Sequence, residues 1–136
     1  VHDVETAKLV RSFEGHTHHV LGVGFKADTS RIASAGADNA IKIWNVETGE
    51  QHRTIQNYSK QVTAIRFIGT GDNIVSCSGD KSVKFHRAND GGNYRGFGGA
   101  TDFVYAVAAL RDESLVVAGG EDGVLRVWNG TNAQVL

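Results

Sequence analysis

The chain has 136 residues, a net charge of −1 from 14 basic and 15 acidic side chains, and 17 glycines without one proline. So even a balance of charge gives no long-range field toward nucleic acid or an anionic membrane. Cys77 is the only cysteine, which excludes an internal disulfide and a cysteine-pair metal site, and no stretch approaches the ~20 apolar residues of a membrane-spanning helix.

The predicted elements recur with a period of 42 residues and no gaps. Val1-His2-Asp3-Val4-Glu5-Thr6 returns as Ile43-Trp44-Asn45-Val46-Glu47-Thr48, then as Phe85-His86-Arg87 and Val127-Trp128-Asn129. Units therefore begin at 1, 43 and 85, and residues 127–136 start a fourth copy. In the first unit, Leu9–Phe13 reads as a short strand, followed by the loop Glu14–His19. A second strand, Val20–Lys26, carries its apolar residues at 20, 23 and 25; the copies are Val62, Ile65, Phe67 and Val104, Val107, Ala109. A break in period-2 spacing at the same place three times predicts a β-bulge. Ala27–Ser30 is a turn, Arg31–Ala35 a third strand, and Gly36–Asn39 a tight turn rich in turn formers. The fourth strand, Ala40–Asn45, sets Ile41 and Ile43 on one face and Lys42 and Trp44 on the other, so both faces are expected to be covered.

A repeat of this length built from four short strands predicts an all-β protein, a β-propeller of four-stranded antiparallel blades. Residues 1–136 would form about three blades, whereas closed rings have about four to eight. The expectation is a partial propeller completed by blades of a longer parent chain, with closure by a homo-oligomer as the less favoured route.

Gly15-His16, Asp38 in the tight turn and Trp44 near the end of the unit resemble the tryptophan–aspartate (WD) repeat family, and the resemblance extends over the whole chain. It implies that His16, Ser34, Asp38 and Trp44 form the family's hydrogen-bonded structural tetrad. The later units depart from the pattern. Ser76 and Asp80 are kept, but Tyr58 replaces the His and His86 the Trp. Asp122 and Trp128 are kept, but Ala100 and Ala118 replace the His and Ser. A weaker similarity extends to WD-repeat regions of bacterial multidomain proteins carrying c-type cytochrome domains, although no haem-attachment motif stands in these residues.

The cluster His16, His18, His19 has the chemistry of a metal site, but its copies, Lys60, Gln61, Asp102 and Phe103, add no regular ligand set; no metal and no cofactor is expected. Basic residues recur at Arg11, Arg53, Arg95 and at Lys42, Lys84, Arg126. On a chain without net positive charge they read as strand surfaces paired with local acids such as Glu47, so nucleic acid is not expected as a partner, nor is a membrane. Cys77, at an apolar strand position, reads as a buried inert thiol. Asp38, Asp80 and Asp122 belong to turns, and no nucleophile–base–acid motif stands apart from the repeat, so no catalytic residue is assigned.

The units disagree most beside the packing valines. His19 and Leu21, Gln61 and Thr63, Phe103 and Tyr105, with Glu121 before the third turn Asp, are expected on the face where the WD resemblance places partners. The resemblance implies a non-catalytic scaffold that binds a protein or peptide there. The alternatives are a structural module of a larger redox protein, and an enzyme or metal-binding propeller.

Overall fold

The computed structural model describes residues 1–136 and contains eleven strands and no helix. The first sheet is the meander β1 (Val20–Phe25), β2 (Arg31–Gly36), β3 (Ile41–Asn45) and β4 (Gln51–Ile55). The second repeats it with β5 (Val62–Phe67), β6 (Asn73–Ser78), β7 (Val83–Arg87) and β8 (Asn93–Phe97). The third has three strands, β9 (Val104–Ala109), β10 (Leu115–Gly120) and β11 (Arg126–Asn129), plus one bridge between Trp128 and Val135. All neighbouring strands pair antiparallel. These are blades of an open propeller.

Blades stack through their apolar faces. Ala33, Ala35, Ile41, Ile43 and Ile55 of the first blade form one core with Val62, Ile65 and Ile74 of the second. Val75, Cys77, Val83, Phe85 and Phe97 form another with Val104, Val107, Val116 and Trp128 of the third. Because side chains alternate across a strand, Ile41 and Ile43 enter the first core while Trp44 covers the opposite face, as the sequence predicts. That opposite face of the first blade has no blade against it. Val20 is 52% exposed, although its copies Val62 and Val104 are 0% and 3% exposed.

The predicted strand Leu9–Phe13 is not formed. Only a bridge from His2 to Leu9 is present, with the amides of Val10 and Arg11 both donating to the Val1 carbonyl at 2.9 and 3.2 Å. An outer strand needs a ladder to pair with, and here the available partner is just Val1 and His2.

Adjacent blades are also tied by polar contacts. Lys26 meets Asp28 at 2.9 Å and Asp72 of the second blade at 3.1 Å, and Glu113 of the third blade accepts from Asn73 and Tyr94 of the second. The recurring arginines Arg11, Arg53 and Arg95 do not pair with acids. Arg11 donates to the backbone carbonyls of Glu47 and Thr48, Arg53 to that of Asn89 at 2.8 Å, and Arg95 to that of Gly130. Each staples itself to the hairpin turn of the blade that follows. The recurrence of the arginine follows from this shared geometry. At the other basic position, Lys42 meets Gln51 and Thr54, not Glu47.

Candidate functional site: the bulged end of the inner strands

The start of each inner strand lies at the same blade end as the tight turn between the second and third strands. In the first blade Val20 pairs with Gly36 and Gly22 with Ala35, which leaves Leu21 without a ladder partner. The second skips Thr63 between Val62 and Ala64, and the third skips Tyr105 between Val104 and Ala106. The bulge predicted from the misplaced apolar residues is thus present in all three blades. It separates two roles: the valine before it packs into the core between blades at Val62 and Val104, while the bulged residue is turned out of the regular pleat. Leu21, Thr63 and Tyr105 come together along a groove of about 420 Å³ that Val23, Arg66 and Val107 also line.

The three bulged residues are not equally available. Tyr105 is 51% exposed and donates its hydroxyl to the Glu121 carboxylate at 2.6 Å, which raises the phenol above its usual pKa. Leu21 is 44% exposed. Thr63 is half-buried and donates to the Val104 carbonyl of the next blade at 2.5 Å. Beside them His19 and Glu121 are exposed and Gln61 is half-buried. Phe103 is half-buried too, because its ring fills the space above Gly79 of the second blade. A Cβ on Gly79 would lie 2.3 Å from the Phe103 ring. The Lys60 ammonium sits 4.7 Å from the centre of that ring, and Tyr105 packs 6.2 Å away, tilted by 38°.

Beneath this end lie the polar residues that shape the loops. His16 donates from Nδ1 to Asp38 at 2.9 Å, so its Nε2 accepts from the Ser34 hydroxyl at 2.7 Å, and that hydroxyl accepts from the Trp44 indole at 2.8 Å. Asp38 also accepts from the amides of Thr17 and Ala40. Burial pushes its carboxyl up, but the bonds from His16 and Thr17 outweigh it and the pKa is lowered.

The second blade keeps only part of this chain. Tyr58 and Ser76 bond at 2.5 Å, and Asp80 accepts from the amides of Ser59 and Ser82 at 3.0 Å. His86 is fully buried with neither ring nitrogen bonded, and desolvation lowers its pKa to about 4. In the third blade Asp122 accepts from the amides of Thr101 and Val124 and from the guanidinium of Arg126 at 2.7 Å; these bonds, the backbone ones foremost, lower it to about 2. Trp128, lacking a serine, donates to the Gly98 carbonyl at 2.9 Å. Arg126 and Gly98 thus supply substitutes for the missing His and Ser. Cys77 is buried, and desolvation pushes its thiol up to about 11.

Sequence reasoning missed Lys60 at this end and Arg66 farther along the same blade's inner strand. Lys60 was visible only as a failed metal-ligand copy. Arg66 is the one charged residue on the three inner strands, at a position its copies fill with Gly24 and Ala108; that contrast was legible.

The family model of the WD domain, G-beta repeat, matches residues 7–45, 49–87 and 92–129. Among curated proteins, the chain is 54% identical over 35 residues to coatomer subunit beta'-1 of Arabidopsis thaliana, covering 25% of this chain and 4% of that protein. It is 39% identical over 44 residues to protein HIRA of Zea mays, covering 32% and 5%. The chain therefore spans only a small fraction of these relatives. Among solved structures, the computationally designed Ika4 protein superposes with a TM-score of 0.81 at 29% identity, over 92% of this chain and 74% of that one. The structure of U3-55K gives 0.90 at 26% identity, over 99% and 43%.

Proposed function

We propose, from the premise that the chain belongs to the WD domain, G-beta repeat family, that it is a non-catalytic platform holding a protein or peptide against the bulged end of its inner strands. Proteins with WD repeats generally mediate protein–protein interactions, and the proposal places that role on particular residues of this chain. The observation that carries it is the bulge itself. The same backbone irregularity projects a leucine, a threonine and a tyrosine from identical places in three blades. A scaffold whose core repeats while its projecting side chains differ is suited to reading a partner's surface.

The third blade carries the largest share of the contact. Tyr105 is a half-exposed aromatic fixed by Glu121, and a pre-oriented tyrosine is the kind of anchor on which interface energy concentrates. Leu21, His19 and Glu121 supply further exposed contacts, while Thr63 and Phe103 hold blades together beneath them. Remaining blades of a longer parent chain would complete the ring.

The test is partner capture by the full-length protein, read beside a thermal melt. Tyr105→Ala should weaken capture tenfold or more with an unchanged melting temperature, and Leu21→Ala should weaken it less. Full capture by both variants would refute the assignment of this end as the binding surface.

A further inference from the structure

We infer that Arg66 is the specificity residue of the groove and that it receives an anionic side chain carried by an extended peptide. The inference rests on the platform reading above and names the chemistry of the partner. Arg66 is the only charged residue among the three inner strands, and the groove around it is otherwise walled by Leu21, Val23, Thr63, Tyr105, Val107 and small residues. It lies three residues from the bulged Thr63, about 10 Å along the strand, so it sits within the groove and not at its mouth. Gly22 is glycine for a steric reason. A Cβ there would stand 3.1 Å from the Ala64 backbone, tighter than ordinary contact, whereas one on Gly24 would meet the Arg66 backbone at an ordinary 3.5 Å. Close approach of β1 and β5 thus leaves room above them that the arginine crosses alone.

The guanidinium is held but not neutralised. One terminal nitrogen donates to the carbonyl of Val23 in the first blade at 3.1 Å and to that of Ile65 at 2.7 Å. Its Nε and other terminal nitrogen have no bonding partner, and no carboxylate pairs with it. Lys26, Arg31, Arg87 and Arg126, by contrast, each face an acid. Backbone carbonyls from two blades therefore orient an exposed, unpaired fork of N–H donors into the groove. Such a fork matches a carboxylate or phosphoryl group through two parallel hydrogen bonds. The shared chemistry is an anionic peptide side chain, glutamate or phosphoserine.

The experiment follows the side-chain Nε–H signal of Arg66 in arginine-labelled full-length protein, assigned with Arg66→Lys. The probes are acetyl-Ala-Glu-Ala-amide, its phosphoserine counterpart and its glutamine counterpart. The expected result is a saturable shift with either acidic peptide at concentrations at least tenfold below those the glutamine peptide requires. The more tightly bound acid identifies the group that the fork prefers. Read from the backbone amide signals of the groove, which survive loss of the arginine, Arg66→Gln should lose this preference while staying folded, with a melting temperature lowered only as far as loss of the bond to Val23 requires. Arg66→Lys should keep a weaker preference. Equal response to the glutamine peptide, or undiminished acid binding by Arg66→Gln, overturns the inference. If that happens while Tyr105→Ala still loses partner capture, the platform reading stands and only the role of Arg66 falls.

Discussion

Replacing His86 by phenylalanine should make the protein more stable and remove an acid-sensitive step from its unfolding. His86 occupies the place of Trp44 in the first blade and is fully buried with both ring nitrogens unbonded. A buried polar group left without a partner costs about 1–3 kcal/mol, so a phenyl ring of similar shape relieves that penalty at neutral pH. The pH dependence follows from the same burial. The folded-state pKa falls from 6.5 to about 4, so between those values the unfolded chain binds a proton that the folded chain refuses. Stability then rises with pH across this window and is lost on acidification from 6.5 toward 4, by about 3 kcal/mol in total. The carboxylates act elsewhere. Asp38 and Asp80 are held below their ordinary value of 3.8, so their stabilisation is present above that value and is lost only as pH falls beneath it. Urea unfolding of the full-length protein at pH 7, 6, 5 and 4.5 separates the two windows. The wild type should lose stability steadily through the series, and His86→Phe should hold nearly level and start higher. Equal slopes for the two proteins, or a destabilised His86→Phe at pH 7, would refute the reasoning.

Other substitutions probe the blade interiors and the staples between them. Asp38→Ala strands the His16 ring N–H and two backbone amides and should cost about 1–3 kcal/mol per group left unsatisfied, measured by denaturant unfolding. Asp80→Ala, which strands no ring donor, should cost less, and Asp122→Ala, which leaves the Arg126 guanidinium half-enclosed without its carboxylate, should lower the melting temperature more than Asp80→Ala does. Phe103→Ala should cost about 2 kcal/mol, because a half-buried ring leaves the Gly79 surface, and a calorimetric melt would show the loss. Arg53→Ala removes a bond to the next blade's turn and should cost about 1 kcal/mol, while partner capture by pull-down stays intact.

The blade plan was legible because each unit restates it. Valine at 20, 62 and 104, followed by an apolar residue three positions on, disclosed the bulge three times over. His16, Ser34, Asp38 and Trp44 were recognisable together in the first unit, and they meet at hydrogen-bonding distance. What escaped the sequence depended on contacts between blades. Arg11, Arg53 and Arg95 repeat because of a carbonyl on the next hairpin, and a carbonyl has no residue signature. Arg126 was read as one rung of a basic series, yet it turns back to Asp122, since the turn places positions four apart side by side. Phe103 and Tyr105 looked equivalent as aromatics flanking a valine. Gly79 separates them, because a missing side chain in one blade makes room for the ring of the next.

Photo-crosslinking from position 105 tests the binding-platform account most directly. A benzoylphenylalanine placed at Tyr105 of the full-length protein, and in a second preparation at Arg53 on the outer strand, reports what touches each place. The account predicts a discrete protein or peptide crosslinked from position 105 and none from position 53. Crosslinking of the same partner from position 53, with none from position 105, would contradict it and move the interface to the blade edges.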